Sequence, residues 1–152
     1  MAVRTFREIE KVWSNVEGIK KLSDRVVGFG PFGIGLDGLL TWVPGVGLVY
    51  TIGAAGMLFV NAFRARASAG TMARMGAYLA FDALTTEAFL IGSAVDFFFP
   101  GHLMAAKALQ KEIETTHWVE ASEREARASG DHARHVAAMK AERKRRLVYL
   151  AD

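Results

Sequence analysis

Two long stretches of this chain contain no cation. Residues 26–63 and 75–106 run for 38 and 32 positions without a Lys or Arg, and all nineteen of those residues lie outside them. A soluble amphipathic helix carries a charge on its wet face every turn or so, and windows of this length leave no face for water. Each window also exceeds the ~20 apolar residues needed to cross a hydrocarbon core. At 152 residues the chain is long enough for one ordinary soluble core, so the distribution of charge carries the argument and its total does not. The expectation is an all-α membrane protein whose charged N- and C-terminal segments stay in water.

Phe6, Ile9, Val12, Trp13, Val16, Ile19, Leu22 and Val26 recur every three or four positions, which predicts one amphipathic helix over 6–27. Its apolar face suits either the membrane interface or the protein's own core. Gly28, Gly30 and Gly33 match the letters of a dinucleotide-binding loop, but such a loop follows a buried strand. Here an amphipathic helix precedes it and Pro31 interrupts it. The glycines read instead as a flexible passage into the bilayer. Two apolar runs follow, at 36–43 and 48–63, separated by the breaker Pro44, Gly45, Val46, Gly47. A polar link at 64–74 leads to a helix at 75–88, a break between Phe89 and Gly92, a short apolar run, and Pro100 with Gly101. The organisation expected is an interfacial helix at 1–27, a membrane domain at 28–106 with hairpins at about 31–63 and 75–106, and a charged helical tail at 107–152, broken at Gly130 and Asp131.

The two windows read as copies. Asp37 and Asp82, Pro44 and Phe89, and Gly47 and Gly92 are each 45 residues apart. A duplicated helix–turn–helix unit in a membrane protein implies two pseudo-symmetric hairpins. Small residues line both, Gly53, Ala54, Ala55 and Gly56 in one and Gly76, Ala77, Ala80 and Ala83 in the other, and small faces let helices approach closely in lipid.

Four acids fall inside the windows: Asp37, Asp82, Glu87 and Asp96. A carboxylate at the bilayer centre costs roughly 2.5–3.5 kcal/mol, so each needs a reason. One reason is a proton or cation path; the other is that they cap helices, bond turn amides or sit at interface depth, with no Lys or Arg in either window to pair with. Lys140, Arg143, Lys144, Arg145 and Arg146 form a basic tail suited to anionic lipid, or to plain solvation. His102, His117 and Trp118 read as interface residues. His132 and His135 stand three apart without a third committed ligand, which does not make a metal site. The chain has no cysteine, which excludes disulfides, iron–sulfur clusters and thiol catalysis. Its charged first residues are not a cleavable secretory signal, so the insertion signal is expected to be internal. No catalytic constellation is present, and no enzyme activity, cofactor, metal or nucleic-acid partner is expected.

The run from Leu36 and Asp37 through Pro44, Gly45 and Gly47, then Ala73 to Met75, Phe81, Asp82, Gly92 and Asp96, resembles domain-of-unknown-function family 4112. The likeness covers roughly 22–110. It implies a small bacterial membrane protein and carries no activity with it. Leu48 and Ser93 stand where that family places an acid after each turn, and Phe89 stands where it places a second proline.

If each window crossed the membrane once, the acid-free link with Arg64, Arg66 and Arg74 would lie opposite the basic tails, against the positive-inside tendency. Two re-entrant hairpins remove the conflict. Tails and link are then cytoplasmic, at the bacterial inner membrane, and the turns at Pro44, Gly45 and Gly47 and at Phe89 and Gly92 lie deep and need covering. The expected role is an accessory or scaffold subunit of a larger membrane assembly or homo-oligomer, in contact with lipids. The alternative is a proton or cation channel element built on the acids.

Overall fold

The computed structural model describes residues 2–28, 46–89 and 101–152. Among these the chain forms, in order, α1 (Phe6–Gly28), α2 (Val46–Arg64), α3 (Ala69–Phe89), α4 (Gly101–Glu114), β1 (Thr116–Val119), α5 (Glu123–Ser129), α6 (Asp131–Ala141) and β2 (Arg146–Tyr149). The fold is mostly helical, as the apolar periodicity predicts.

Helix α1 begins with a reciprocal cap. The Glu8 amide donates to Thr5 Oγ1 at 3.3 Å while Glu8 Oε2 accepts from the amides of Arg4 and Thr5 at 2.6 and 3.2 Å, which satisfies donors that the first turn leaves unpaired. Its apolar face is Ile9, Val12, Val16 and Ile19, all buried against the rest of the protein. Of the two settings open to this helix, the protein's own core is the one these four side chains occupy.

Helices α2 and α3 make a hairpin whose link is tighter than the sequence suggests. Ser68 caps α3, accepting from the Thr71 amide at 3.3 Å, so the helix starts at Ala69 and takes Arg74 into its body. The expected polar link at 64–74 shrinks to 65–68 as a result. At the other end of the link, α2 closes with Ala67 N donating to Ala62 O and Arg66 N to Phe63 O, at 2.9 and 3.0 Å. That is the helix-ending pattern whose left-handed residue is usually glycine, here filled by Arg66 at φ 49°.

Helix α4 is the hub, in contact with α1, α2 and α3. Its Ala105, Ala106, Leu109 and Ile113 meet Val12 and Val16 of α1, Leu58 of α2 and Met75 of α3 in one core.

Residues 107–152 were expected as a helical tail, and here the structure differs. β1 and β2 pair in parallel, with Thr116 opposite Arg146 and Val119 opposite Tyr149, and α5 and α6 supply the crossover that parallel strands require. Gly130, at φ 82°, separates those helices at the expected break. β2 then delivers Leu150 into the helical core, where it is fully buried and its amide donates to Val119 O at 2.8 Å.

Among the described residues no helix is long and apolar enough to cross a membrane. The structure thus supports the helical class expected of the chain; of the re-entrant or spanning hairpins expected with it, it supplies no spanning helix among the described residues. In α3 the helix boundary does not follow the cation-free window, because the helix reaches back to take in Arg74 and carries Asp82 and Glu87 as well.

Candidate functional site

On α2, Ile52, Met57, Val60 and Phe63 are each more than half exposed, whereas Ala54, Leu58, Asn61 and Ala62 are buried. On α3, Phe81 and Leu84 are likewise exposed and Met75, Leu79 and Asp82 buried. The spacing in both helices is that of two opposite faces. A Cβ on Gly76 would lie 3.8 Å from the Phe59 ring, and counting away from that contact along an antiparallel hairpin brings Ile52 level with Phe81 and Leu84. The outer side of the hairpin is mainly apolar, with the exposed Arg74 two turns before Phe81 on the same side of α3, and large exposed apolar patches mark contact with a partner or a membrane.

Behind that face lies one of the predicted acids. Asp82 Oδ2 is 2.9 Å from His102 Nδ1, with side chains 12% and 14% exposed. The pair exists because α4 starts hard against α3: a Cβ on Gly101 would collide with the Tyr78 carbonyl and the Asp82 side chain, so only glycine allows this approach. A carboxylate hydrogen-bonded to an imidazole can hold or pass a proton, and it can equally be a fixed polar tie between helices. The sequence reading sought a Lys or Arg for Asp82 and missed the histidine twenty residues on.

The other predicted positions are dispersed. Asp37, Pro44, Gly45, Gly92 and Asp96 lie outside the described residues, and with them most of the 45-residue repeat. Gly47 falls in the first turn of α2, while Glu87 and Phe89 fall in the last turn of α3. The basic tail is no single patch. Lys140, Arg143 and Arg145 are exposed, Lys144 Nζ donates to the Glu114 carbonyl, and Arg146 turns inward to Glu112 Oε1 at 3.0 Å and to the Arg66 carbonyl.

Glu112 is the centre of that inward network. Burial opposes its ionisation, but hydrogen bonds from Ser68 and Thr71 and the charge of Arg146 outweigh it and hold the carboxyl below its usual range. Arg66 completes the clamp, donating to the carbonyls of Tyr149 at 2.8 Å, Leu150 at 3.3 Å and Asp152 at 2.6 Å. Around the strands, His117 Nδ1 meets Glu142 at 2.8 Å, His132 Nδ1 meets the Tyr149 hydroxyl at 2.9 Å, and the His135 and Tyr149 rings pack at a near-right angle. Burial, then the charge of Glu123, raises the Tyr149 phenol; Arg127 opposes them, and Asp152 and Asp131 add to the rise. Among the described residues no group of three or more His, Asp or Glu is placed to hold a metal ion.

A family model described as a domain of unknown function, DUF4112, matches residues 12–113. No curated protein and no solved structure matches the chain.

Proposed function

We propose, from the premise that this chain belongs to the DUF4112 family, a non-enzymatic accessory or scaffold protein at the membrane. In this reading the outer face of the α2–α3 hairpin meets lipid or the apolar helices of a larger membrane assembly, and residues 112–152 stay in water. The observation that carries it is the row Ile52, Met57, Val60, Phe63, Phe81 and Leu84, left on the surface while the same helices bury their opposite sides. The test is fractionation under alkaline and high-salt washing. Wild-type protein is expected to stay with the membranes. A Val60→Glu, Phe63→Glu double variant, altered only at exposed positions, is expected to fold and move to the soluble fraction, since an acid in lipid costs roughly 2.5–3.5 kcal/mol. Wild-type protein that is soluble and monomeric overturns the proposal.

A second reading, a proton or cation element, is favoured by the buried Asp82–His102 pair. It predicts that reconstituted protein conducts without a partner and that Asp82→Asn abolishes conduction while leaving the fold intact. Conduction by wild type and not by the variant selects this reading over the first.

A further inference from the structure

An open groove of about 380 Å³ lies between α1, the end of α4 and the start of β1. Ile9 and Ile113, both buried, form its floor, and Phe6, Trp13 and Trp118 line it above them. Both indole N–H groups are already spent on the protein: Trp13 Nε1 donates to Glu114 Oε1 at 3.0 Å and Trp118 Nε1 to the Ile113 carbonyl at 3.1 Å. Those bonds fix the two rings, so what they offer the groove is carbon and π surface rather than a donor. Phe6 is half exposed, and its backbone amide donates to the Glu120 carboxylate, which holds the main chain at that point.

The charges at this groove are unequal. Glu10 and Glu114 contribute carboxylates, and the single ammonium, that of Lys144, is already donating to the Glu114 carbonyl. Glu120 beside Phe6 adds a further negative charge. An anion would face two carboxylates here, and a neutral apolar molecule would gain nothing from either charge. A cation gains from both, because aromatic faces attract ammonium groups and the carboxylates lie within the same groove.

We propose that this groove binds a small organic ammonium compound, of choline or alkylammonium type, with its cationic head against Trp13, Trp118 and Phe6 and its charge balanced by Glu10 and Glu114. The assignment is independent of the membrane role.

The experiment uses the full chain, titrated with choline and with tetramethylammonium. Calorimetry and tryptophan fluorescence report together, since two of the three tryptophans line the groove. Saturable binding is expected, with the uncharged isostere 3,3-dimethylbutanol weaker by roughly fivefold or more. Trp118→Leu is expected to weaken choline binding by roughly fivefold. Because that change also touches the fold, Glu10→Gln at an exposed rim position serves as the second variant, with an expected loss of about threefold and an unchanged melting temperature. Equal affinity for the neutral alcohol, tighter binding of inorganic phosphate than of choline, or an unaltered affinity in Glu10→Gln overturns the proposal.

Discussion

The α2–α3 hairpin turns Ile52, Met57, Val60, Phe63, Phe81 and Leu84 outward, while the segment from Glu112 onward turns Val148, Tyr149 and Leu150 inward and ties itself down through Arg66, Arg146 and Glu112. The apolar region thus has an uncovered side and the charged region has a buried anchor, the reverse of what residue composition alone leads one to expect. The contrast teaches that a dense run of charge need not be a solvated tail. Guanidinium groups that meet carbonyls and a buried carboxylate act as cross-links, and here they fasten the C-terminal strand to the link between α2 and α3.

The apolar end of that fastening is its most sensitive point. Leu150→Ala removes a fully buried side chain from the helical core and is expected to cost about 3 kcal/mol, within the usual range for such truncations, read as a lowered denaturation midpoint at unchanged slope. A loss below about 0.5 kcal/mol would place this residue on a frayed tail. Next in size is Arg66→Ala, which takes away three hydrogen bonds to carbonyls and leaves a strained left-handed backbone behind. A loss of about 2 kcal/mol is expected by the same measurement.

Much of the helical core was legible in the sequence. The three-and-four spacing of Ile9, Val12, Val16 and Ile19 marks α1 and its buried side, and Gly130 marks the break between α5 and α6. The cap of α1 was legible as well, since Thr5 followed by Glu8 is a recognised start signal, and it went unread. The strands were not. Thr116–Val119 and Arg146–Tyr149 are four residues each, too short for an alternating pattern, and their pairing depends on contacts about thirty residues apart. The Asp82–His102 pair escaped for a similar reason, because its geometry depends on Gly101 allowing α4 to approach α3. No local pattern reports that approach.

Acid sharpens the comparison further. The Glu112 carboxyl is held below its ordinary 4.5 in the folded protein, so the unfolded chain binds its proton first. The stability due to this group is present above that pH and is lost as pH falls through the lower folded value. Glu112→Gln is therefore expected to flatten the decline of melting temperature below about pH 5. Part of the slope remains in the variant, because hydrogen bonds from Gln110 and then Lys20 also lower Glu17. An unchanged slope would remove Glu112 from the clamp.

The smallest effect is expected where an arginine holds a left-handed position without the inward contacts of Arg66. Arg143, exposed at φ 55° after α6, should prefer glycine. Arg143→Gly is expected to raise stability by up to about 1 kcal/mol in thermal denaturation, whereas a loss would assign that side chain a structural role like that of Arg66.

The central claim, that the hairpin's outer side meets the membrane and the strand-bearing segment does not, is tested most directly with an environment-sensitive dye on single cysteines in this cysteine-free chain. Labels at Val60 and at Arg134, both exposed, are compared with and without phospholipid vesicles. The account predicts a blue shift at position 60 and none at position 134. Unchanged emission at 60, or a shift at 134 alone, would contradict it.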